Sequence, residues 1–420
     1  MIDVNGGPDR HARNRAAYRN LGLYLAGQGF SNVGAFSQMI ALSLLVLDRT
    51  DSGLALGATL SVQALPYIVL SPWAGPLLDR VALRRLLMVT ALVGAFQASV
   101  LSMLAFLDGI TMPVVVGLAF VLGCVQVFQR PAIQAFLGEL VPPEAIPRAV
   151  SLASSIQAFG RLGGPALAAV LYSWQGPELV FAMNGVLYLL VIAVLLLLRA
   201  DAMYPRERRH GHRGQLIVAL RYAWHSPTLW PALLGNVVVG LFAFNFGNFF
   251  ATISTLTFQQ PSLFGIAESV NAVTAVLAGL LLARYLRTPT GLTVGIACTA
   301  LGCSLAWVAL SPTPFWFIAS MPFFGFAVVS YGATAQSLIQ QNAPREMVGR
   351  MMSLYTLGSM GTTPLGGLIV GFVSDYASPR IAIGLGSTSA ILVGLLMVVR
   401  WWLEARGRVA AEVEATAPPP

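Results

Sequence analysis

The stretch Gln134-Ala-Phe-Leu-Gly-Glu-Leu-Val-Pro142-Pro-Glu144-Ala-Ile-Pro-Arg148-Ala-Val-Ser151-Leu152 returns 202 residues later as Gln336-Ser-Leu-Ile-Gln-Gln-Asn-Ala-Pro344-Arg-Glu346-Met-Val-Gly-Arg350-Met-Met-Ser353-Leu354. Six positions coincide: Gln134/Gln336, Pro142/Pro344, Glu144/Glu346, Arg148/Arg350, Ser151/Ser353 and Leu152/Leu354. Each copy is a polar turn between two long apolar runs. An offset of nearly half of a 420-residue chain points to an internal duplication. Parallel six-helix repeats about an axis along the membrane normal are one known transporter plan.

Outward from these copies, polar or Pro/Gly punctuation divides the chain into twelve apolar stretches, near 21–47, 54–74, 86–107, 113–136, 149–172, 179–199, 228–252, 263–283, 291–310, 314–338, 351–373 and 381–403. A membrane helix needs about 20 such residues. The expectation is therefore an all-α integral membrane protein with twelve transmembrane helices in two pseudo-symmetric six-helix bundles. Its parts are an N-terminal segment (1–20), a first half (21–199), a linker (200–227), a second half (228–403) and a disordered tail (404–420).

Composition agrees, with 56% hydrophobic and 10% charged residues and a mean hydropathy of +0.73. A soluble domain carries about 25% charged residues. All 25 basic residues are arginine. Without lysine there is neither a P-loop nor a pyridoxal Schiff base. Cys124, Cys298 and Cys303 lie in apolar runs without CxxC spacing, and His11, His210, His212 and His225 lie in polar connections. No metal site and no cofactor are expected. Despite the net charge of +8, the arginines form no single basic face for nucleic acid.

The arginines instead mark one side of a bilayer. Only Arg49 and Arg380 fall in loops assigned outside, and only Arg161 falls mid-span. Both termini are thus expected in the cytoplasm. The first span follows Arg10, Arg13, Arg15 and Arg19 and lacks a small-residue cleavage site, so it reads as retained. In the linker, Leu216, Leu220, Ala223 and Trp224 recur at helical spacing beside Arg213 and Arg221. That pattern fits a short helix on the membrane surface or an extension of span seven.

The loop after span two reads Gly75-Pro-Leu-Leu-Asp79-Arg80-Val-Ala-Leu-Arg84-Arg85. It resembles the signature loop of the major facilitator superfamily, in which an acid and a basic cluster latch the two halves on the cytoplasmic side. Ala82 and Leu83 depart from that pattern. Ser31-Asn32-Val33-Gly34, Pro131-Ala132 with Leu140-Val141-Pro142, Gly160-Arg161-Leu162-Gly163-Gly164-Pro165-Ala166, and Pro344-Arg345-Glu346 with Gly349, Arg350 and Ser353 resemble the branch of enterobactin-type siderophore exporters. This resemblance implies a multi-pass protein of the bacterial inner membrane, working as a monomer in the lipid bilayer and moving a small-molecule cargo by alternating access. It further implies export coupled to protons, of a siderophore, an antibiotic or a drug-like compound.

Charged groups inside a bilayer cost roughly 2.5 to 3.5 kcal/mol each on insertion scales, which singles out a few residues. Glu268 is the one acid within a span and the candidate proton carrier; its other reading is a glutamate facing water at the outer interface. Arg161, between Gly160 and the Gly163-Gly164-Pro165 packing motif, either bonds carbonyls across a helix contact or faces the cavity and favours anionic cargo. The amides Gln28, Asn32, Gln38, Gln63, Gln126, Gln129, Asn245, Asn248, Asn271 and Gln336 can line a cavity or tie helices together. Phe36, Tyr67, Phe244, Phe246, Phe324 and Tyr331 can wall it. Arg130 and Glu139 are read with Asp79 and Arg84 as a gating relay, or else as headgroup-facing side chains. Uptake, uncoupled movement and a non-transporting receptor remain as alternatives. The spans hold no histidine, lysine or paired carboxylates, which argues against an enzyme.

Overall fold

The computed structural model describes residues 8–142, 145–204, 215–285, 289–344 and 347–416. Glu144, Arg213, Arg345 and Glu346 lie outside the described residues, as do the side chains of Gly75, Asp79 and Gly349. Among the described residues every regular element is helical. The first six long helices are α1 (Pro8–Thr50), α2 (Gly53–Arg80), α3 (Leu83–Phe106), α4 (Met112–Leu140), α5 (Ile146–Gln175) and α6 (Pro177–Leu197). After the short helix α7 (Gln215–His225) come α8 (Leu229–Phe242), α9 (Phe246–Thr252), α10 (Ser262–Tyr285), α11 (Gly291–Leu310), α12 (Pro314–Asn342), α13 (Val348–Met360), α14 (Thr363–Tyr376) and α15 (Pro379–Thr416).

Eleven helical segments among the described residues are long and apolar enough to cross a membrane. The twelfth span is α5. Its 30 residues reach about 45 Å at 1.5 Å per residue, but Ser154, Ser155, Gln157 and Arg161 dilute its apolar run. The protein is thus an all-α, twelve-span membrane protein.

The chain divides into two compact units. The first holds α1, α2 from Thr59, α3 to α6 and Phe264–Ser269 of α10; the second holds Asp51–Ala58 and the remaining helices. Within the first, α1 packs on α5 and α6, and α3 on α4 and α6. Their core includes Leu21, Leu87, Leu137 and Leu195, with Tyr24 set edge-on to Phe136 at 5.2 Å. Side-chain volume decides how closely α5 approaches α1. A Cβ on Gly160 would lie 2.5 Å from Asn32 Cβ, and one on Gly164 2.5 Å from Phe36 Cβ and 2.9 Å from the Val33 carbonyl. Gly163 differs, since its Cβ would meet Val33 Cγ2 at an ordinary 3.9 Å.

In the second unit α11 and α15 form the most extensive helix pair. Gly295 and Gly394 each face the other's carbonyl, 2.9 and 2.7 Å from where their Cβ atoms would stand. Ser387 Oγ donates to the Gly302 carbonyl at 2.8 Å along the same seam.

Four spans depart from simple rods of the expected length. Span seven breaks between α8 and α9, where Asn245 Nδ2 donates back to the Leu241 carbonyl at 2.9 Å and a π turn, Ile253–Thr257, follows. Span eleven breaks between α13 and α14 at Gly361 and Thr362, just before Pro364, which has no N–H to donate. Broken backbone is tolerated at membrane depth when side chains take up the freed groups, and Thr362 Oγ1 does so on the Gly358 carbonyl at 2.7 Å. The first span is part of a helix of 43 residues, far longer than the roughly 30 Å hydrocarbon core requires. The last helix also corrects the reading of 404–416 as disordered, because α15 continues to Thr416. Alanine, glutamate and arginine dominate 404–416, and these are strong helix formers. Arg400 Nε and Glu404 Oε1 pair at 3.0 Å at its start.

After α6, the Asn20 amide donates to the Arg199 carbonyl at 2.9 Å and accepts from its N–H at 3.2 Å. Tyr204 Oη donates to Asn14 Oδ1 at 2.8 Å. The first residues after α6 therefore lie along the start of α1. In the linker, α7 stands as a helix apart from α8, and Trp224 stacks on Trp230 across the bend at 4.2 Å.

The glycine seam makes a specific expectation. Gly164→Ala should destabilise the protein by roughly 1 to 3 kcal/mol, because Val33 and Phe36 cannot recede without backbone movement. Gly163→Ala should be neutral or stabilising by up to about 1 kcal/mol, since alanine favours helix. Thermal unfolding of the purified variants in detergent checks both.

Candidate functional site

The first unit encloses a cavity of about 360 Å³ between α1, α2, α4, α5 and α6, at the lower end of the size that holds a small organic molecule. Helical periodicity builds it. On α1, Gln28, Ser31, Asn32, Ala35, Gln38, Met39 and Leu42 fall on one face, and on α4 Leu122, Gln126, Gln129, Arg130, Ile133 and Gln134 do the same. Leu60 and Gln63 close it from α2, Ala153 and Gln157 from α5, and Tyr188 from α6. Among the described residues seven glutamines and one asparagine thus line the space, with Arg130 as the one charged lining residue.

Amides suit such a wall because each offers two N–H donors and a carbonyl acceptor without the cost of a buried charge. Gln28 Nε2 and Asn32 Oδ1 lie 3.4 Å apart, and Tyr67 Oη is 3.5 Å from Gln126 Oε1. Arg130 spreads over the Tyr67 ring, its guanidinium carbon 5.7 Å from the centroid, within the range of a cation–π contact.

Gln38 is held from behind. Asn184 Nδ2 on α6 donates to Gln38 Oε1 at 2.6 Å, and Gln38 Nε2 donates to Gln97 Oε1 on α3 at 3.0 Å. All three are buried, so the chain of amides joins α1, α3 and α6 while its middle member borders the cavity. Nothing in the sequence pairs Gln97 or Asn184 with Gln38, from which they are separated by 59 and 146 residues.

Of the residues singled out from sequence, Gln28, Asn32, Gln38, Gln63, Gln126 and Gln129 come together on this wall. Gln134, noted there only as a repeat position, and Gln157 join them. Asn245, Asn248 and Asn271 sit in helix contacts of the second unit. Asn248 Nδ2 reaches toward the Gly367 carbonyl at 3.4 Å, and Asn271 packs on α12, its carbonyl 2.7 Å from the place a Cβ on Gly325 would take. Gln336 is exposed on α12. The aromatics of that unit cluster, with Phe250 5.0 Å from Phe324 and Phe244 5.9 Å from Tyr331.

Arg161 is half-buried on α5 and is not a lining residue of the cavity. Glu268 is buried, with 3% of its surface exposed, one turn beyond Gly265, whose Cβ would stand 2.9 Å from the Pro165 carbonyl and 2.8 Å from Ala169 Cβ. Near the signature loop, Arg80 and Arg85 are exposed and Arg84 Nη2 donates to the Leu196 carbonyl at 3.2 Å, a favourable place for a cation at the end of α6. The Glu139 carbonyl accepts from the Tyr204 N–H at 2.8 Å, and Arg350 is half-buried on α13. Asp375, passed over in the sequence, caps the start of α2: its carboxylate accepts from Ser52 Oγ at 2.5 Å and from the N–H groups of Gly53 and Leu54 at 2.6 and 3.0 Å.

Comparison with known proteins agrees with this architecture. A family model described as Major Facilitator Superfamily matches residues 24–367. Macrolide efflux protein A of Streptococcus pyogenes is 25% identical over 342 residues, 78% of this chain and 83% of that one. The multidrug efflux pump Tap of Mycolicibacterium fortuitum is 24% identical over 375 residues, 86% and 90% of the two chains. Among solved structures, a POT family transporter in complex with a thioalcohol conjugated peptide superposes with a TM-score of 0.71 at 15% identity, covering 91% of this chain and 96% of that one. That likeness is one of fold.

The amide chain can be tested directly. Gln97→Leu removes the acceptor of a buried Gln38 N–H and should destabilise the protein by about 1 to 3 kcal/mol. Replacing Gln38, Gln97 and Asn184 together with leucine should cost less than the sum of the three single changes. Thermal unfolding of the four variants decides it.

Proposed function

The chain belongs to the major facilitator superfamily, and from that premise we propose that it exports a small organic molecule, a siderophore, antibiotic or drug-like compound, by alternating access driven by proton antiport. It is a transporter rather than an enzyme. The observation that carries the proposal is the amide-lined cavity of the first unit, a polar hollow in a wall that must otherwise be apolar. Amide contacts bind a cargo through several modest hydrogen bonds, each worth about 1 kcal/mol net, so the cargo can also leave. The direction follows the efflux proteins among its relatives.

In this proposal the protein is a monomer in a bacterial inner membrane, with both termini cytoplasmic, a placement that the arginine distribution supports. Glu268, the acid buried in the eighth span, carries the coupling proton in this proposal, because ionisable groups at membrane depth are rare and costly to keep. The loop from Gly75 through Asp79, Arg80, Arg84 and Arg85, with Glu139, Gly349 and Arg350, holds the cytoplasmic side in one access state. A second reading, movement without proton coupling, has one observation in its favour: among the described residues no carboxylate lines the cavity.

Sealed inverted vesicles containing the protein separate the readings. With an acid-inside gradient and a panel of radiolabelled macrolides, tetracyclines and ferric siderophores, at least one compound should accumulate, and an uncoupler should abolish the accumulation. Glu268→Gln should lose accumulation and keep downhill movement. Equilibration indifferent to the gradient would replace antiport with uncoupled movement, and full accumulation by Glu268→Gln would remove Glu268 from the mechanism.

A further inference from the structure

We infer that the cavity of the first unit selects cargo bearing a carboxylate or a similarly compact anionic group, and that Arg130 receives it. This rests on the reading of that cavity as the cargo site. From sequence, Arg161 is the residue that would favour acidic cargo and Arg130 a gating residue. The geometry moves the first of those roles to Arg130, because Arg130 lines the cavity and Arg161 does not.

Three features converge on an anion. First, among the described residues the cavity wall contains one cation and no acid. A positively charged cargo would meet an unopposed like charge there, whereas an anion would meet a partner in Arg130, which is exposed and so reachable by cargo. Second, Arg130 stands beside an aromatic ring, its guanidinium carbon 5.7 Å from the Tyr67 centroid, and its planar fork of N–H donors can meet both oxygens of a carboxylate. Tyr67 in turn lies against Gln126 through its hydroxyl, at 3.5 Å.

Third, the neighbours of Arg130 complete an anion site rather than oppose one. Gln126, Gln129 and Gln134 fall on its face of α4, and Gln63 faces them from α2. Each carries an NH2 that can turn toward a negatively charged oxygen. The other reading of Arg130, a side chain reaching to lipid headgroups, requires neither the tyrosine platform nor the row of amides.

Two dyes on one xanthene core test the inference: 5(6)-carboxyfluorescein, which is anionic, and rhodamine 123, a cation whose carboxyl is blocked as a methyl ester. Binding to the purified full-length protein in detergent is followed by fluorescence anisotropy, which is independent of membrane potential. The protein should bind carboxyfluorescein more tightly than rhodamine 123. Arg130→Gln should weaken carboxyfluorescein by about tenfold or more, the loss of one charge-assisted hydrogen bond, and should not weaken rhodamine 123, which gains from losing a like charge, while Arg130→Lys keeps part of the carboxyfluorescein affinity. Equal or tighter binding of rhodamine 123, equal weakening of both dyes by Arg130→Gln, or binding of neither dye would overturn the inference. Ala35→Trp, which fills the cavity from α1, should abolish binding of both dyes in a variant whose thermal unfolding is unaltered. If it spares them, the dyes sit elsewhere, and the reading of the cavity as the cargo site falls with the inference.

Discussion

Gln38 borders a cavity on one side and two buried amides on the other, and that double position expresses the constraint under which the structure is built. Hydrocarbon offers no hydrogen-bond partner, so every polar group at membrane depth must find one in the protein or in water. Asn184 and Gln97 satisfy the back of Gln38, leaving its outer edge at the cavity. The other lining amides occupy one face each of α1, α2, α4 and α5. Faces turned to lipid carry residues such as Phe96, Leu92 and Val89 on α3, all strongly exposed. Without the glycines of α5, the approach of α5 to α1 would be wider, and the wall that carries Asn32 and Gln157 would open.

The two units share a helical plan but treat polarity differently. In the first, amides gather around a hollow. In the second, amides patch breaks and contacts: Asn245 takes the carbonyl freed between α8 and α9, and Asn271 supports the seam with α12. Aromatic rings from α9 and α12 fill the corresponding interior. Side-chain choice thus distinguishes the amide-lined hollow of the first unit from the helix contacts of the second.

Much of this was legible in the sequence, for reasons that can be named. Hydropathy marks spans because a bilayer rewards apolar runs of one length, and α5 still read as a span from its length and punctuation although its polar face lowers its score. Lining amides on α1, α2 and α4 stood out because polar residues are rare there. What could not be read were pairings across the chain: Gln97 and Asn184 with Gln38, or Asp375 with the first N–H groups of α2, 322 residues away. Arg130 was visible, but its direction depends on the turn of α4 against Tyr67. The helix past residue 403 was missed because its charges end the hydropathy signal, though not the helix propensity.

Thiol labelling in native membranes tests the central claim, that the first unit holds a water-filled cavity for cargo within the membrane. In a protein with Cys124, Cys298 and Cys303 replaced by alanine, Gln126→Cys and Gln157→Cys should react with a charged, membrane-impermeant maleimide from one side of the membrane, and their labelling should block transport. Phe96→Cys, at a residue 67% exposed on the side assigned to lipid, should stay unreactive. Cavity positions that resist the reagent from both sides, or a Phe96→Cys variant that reacts as fast as they do, would contradict the account.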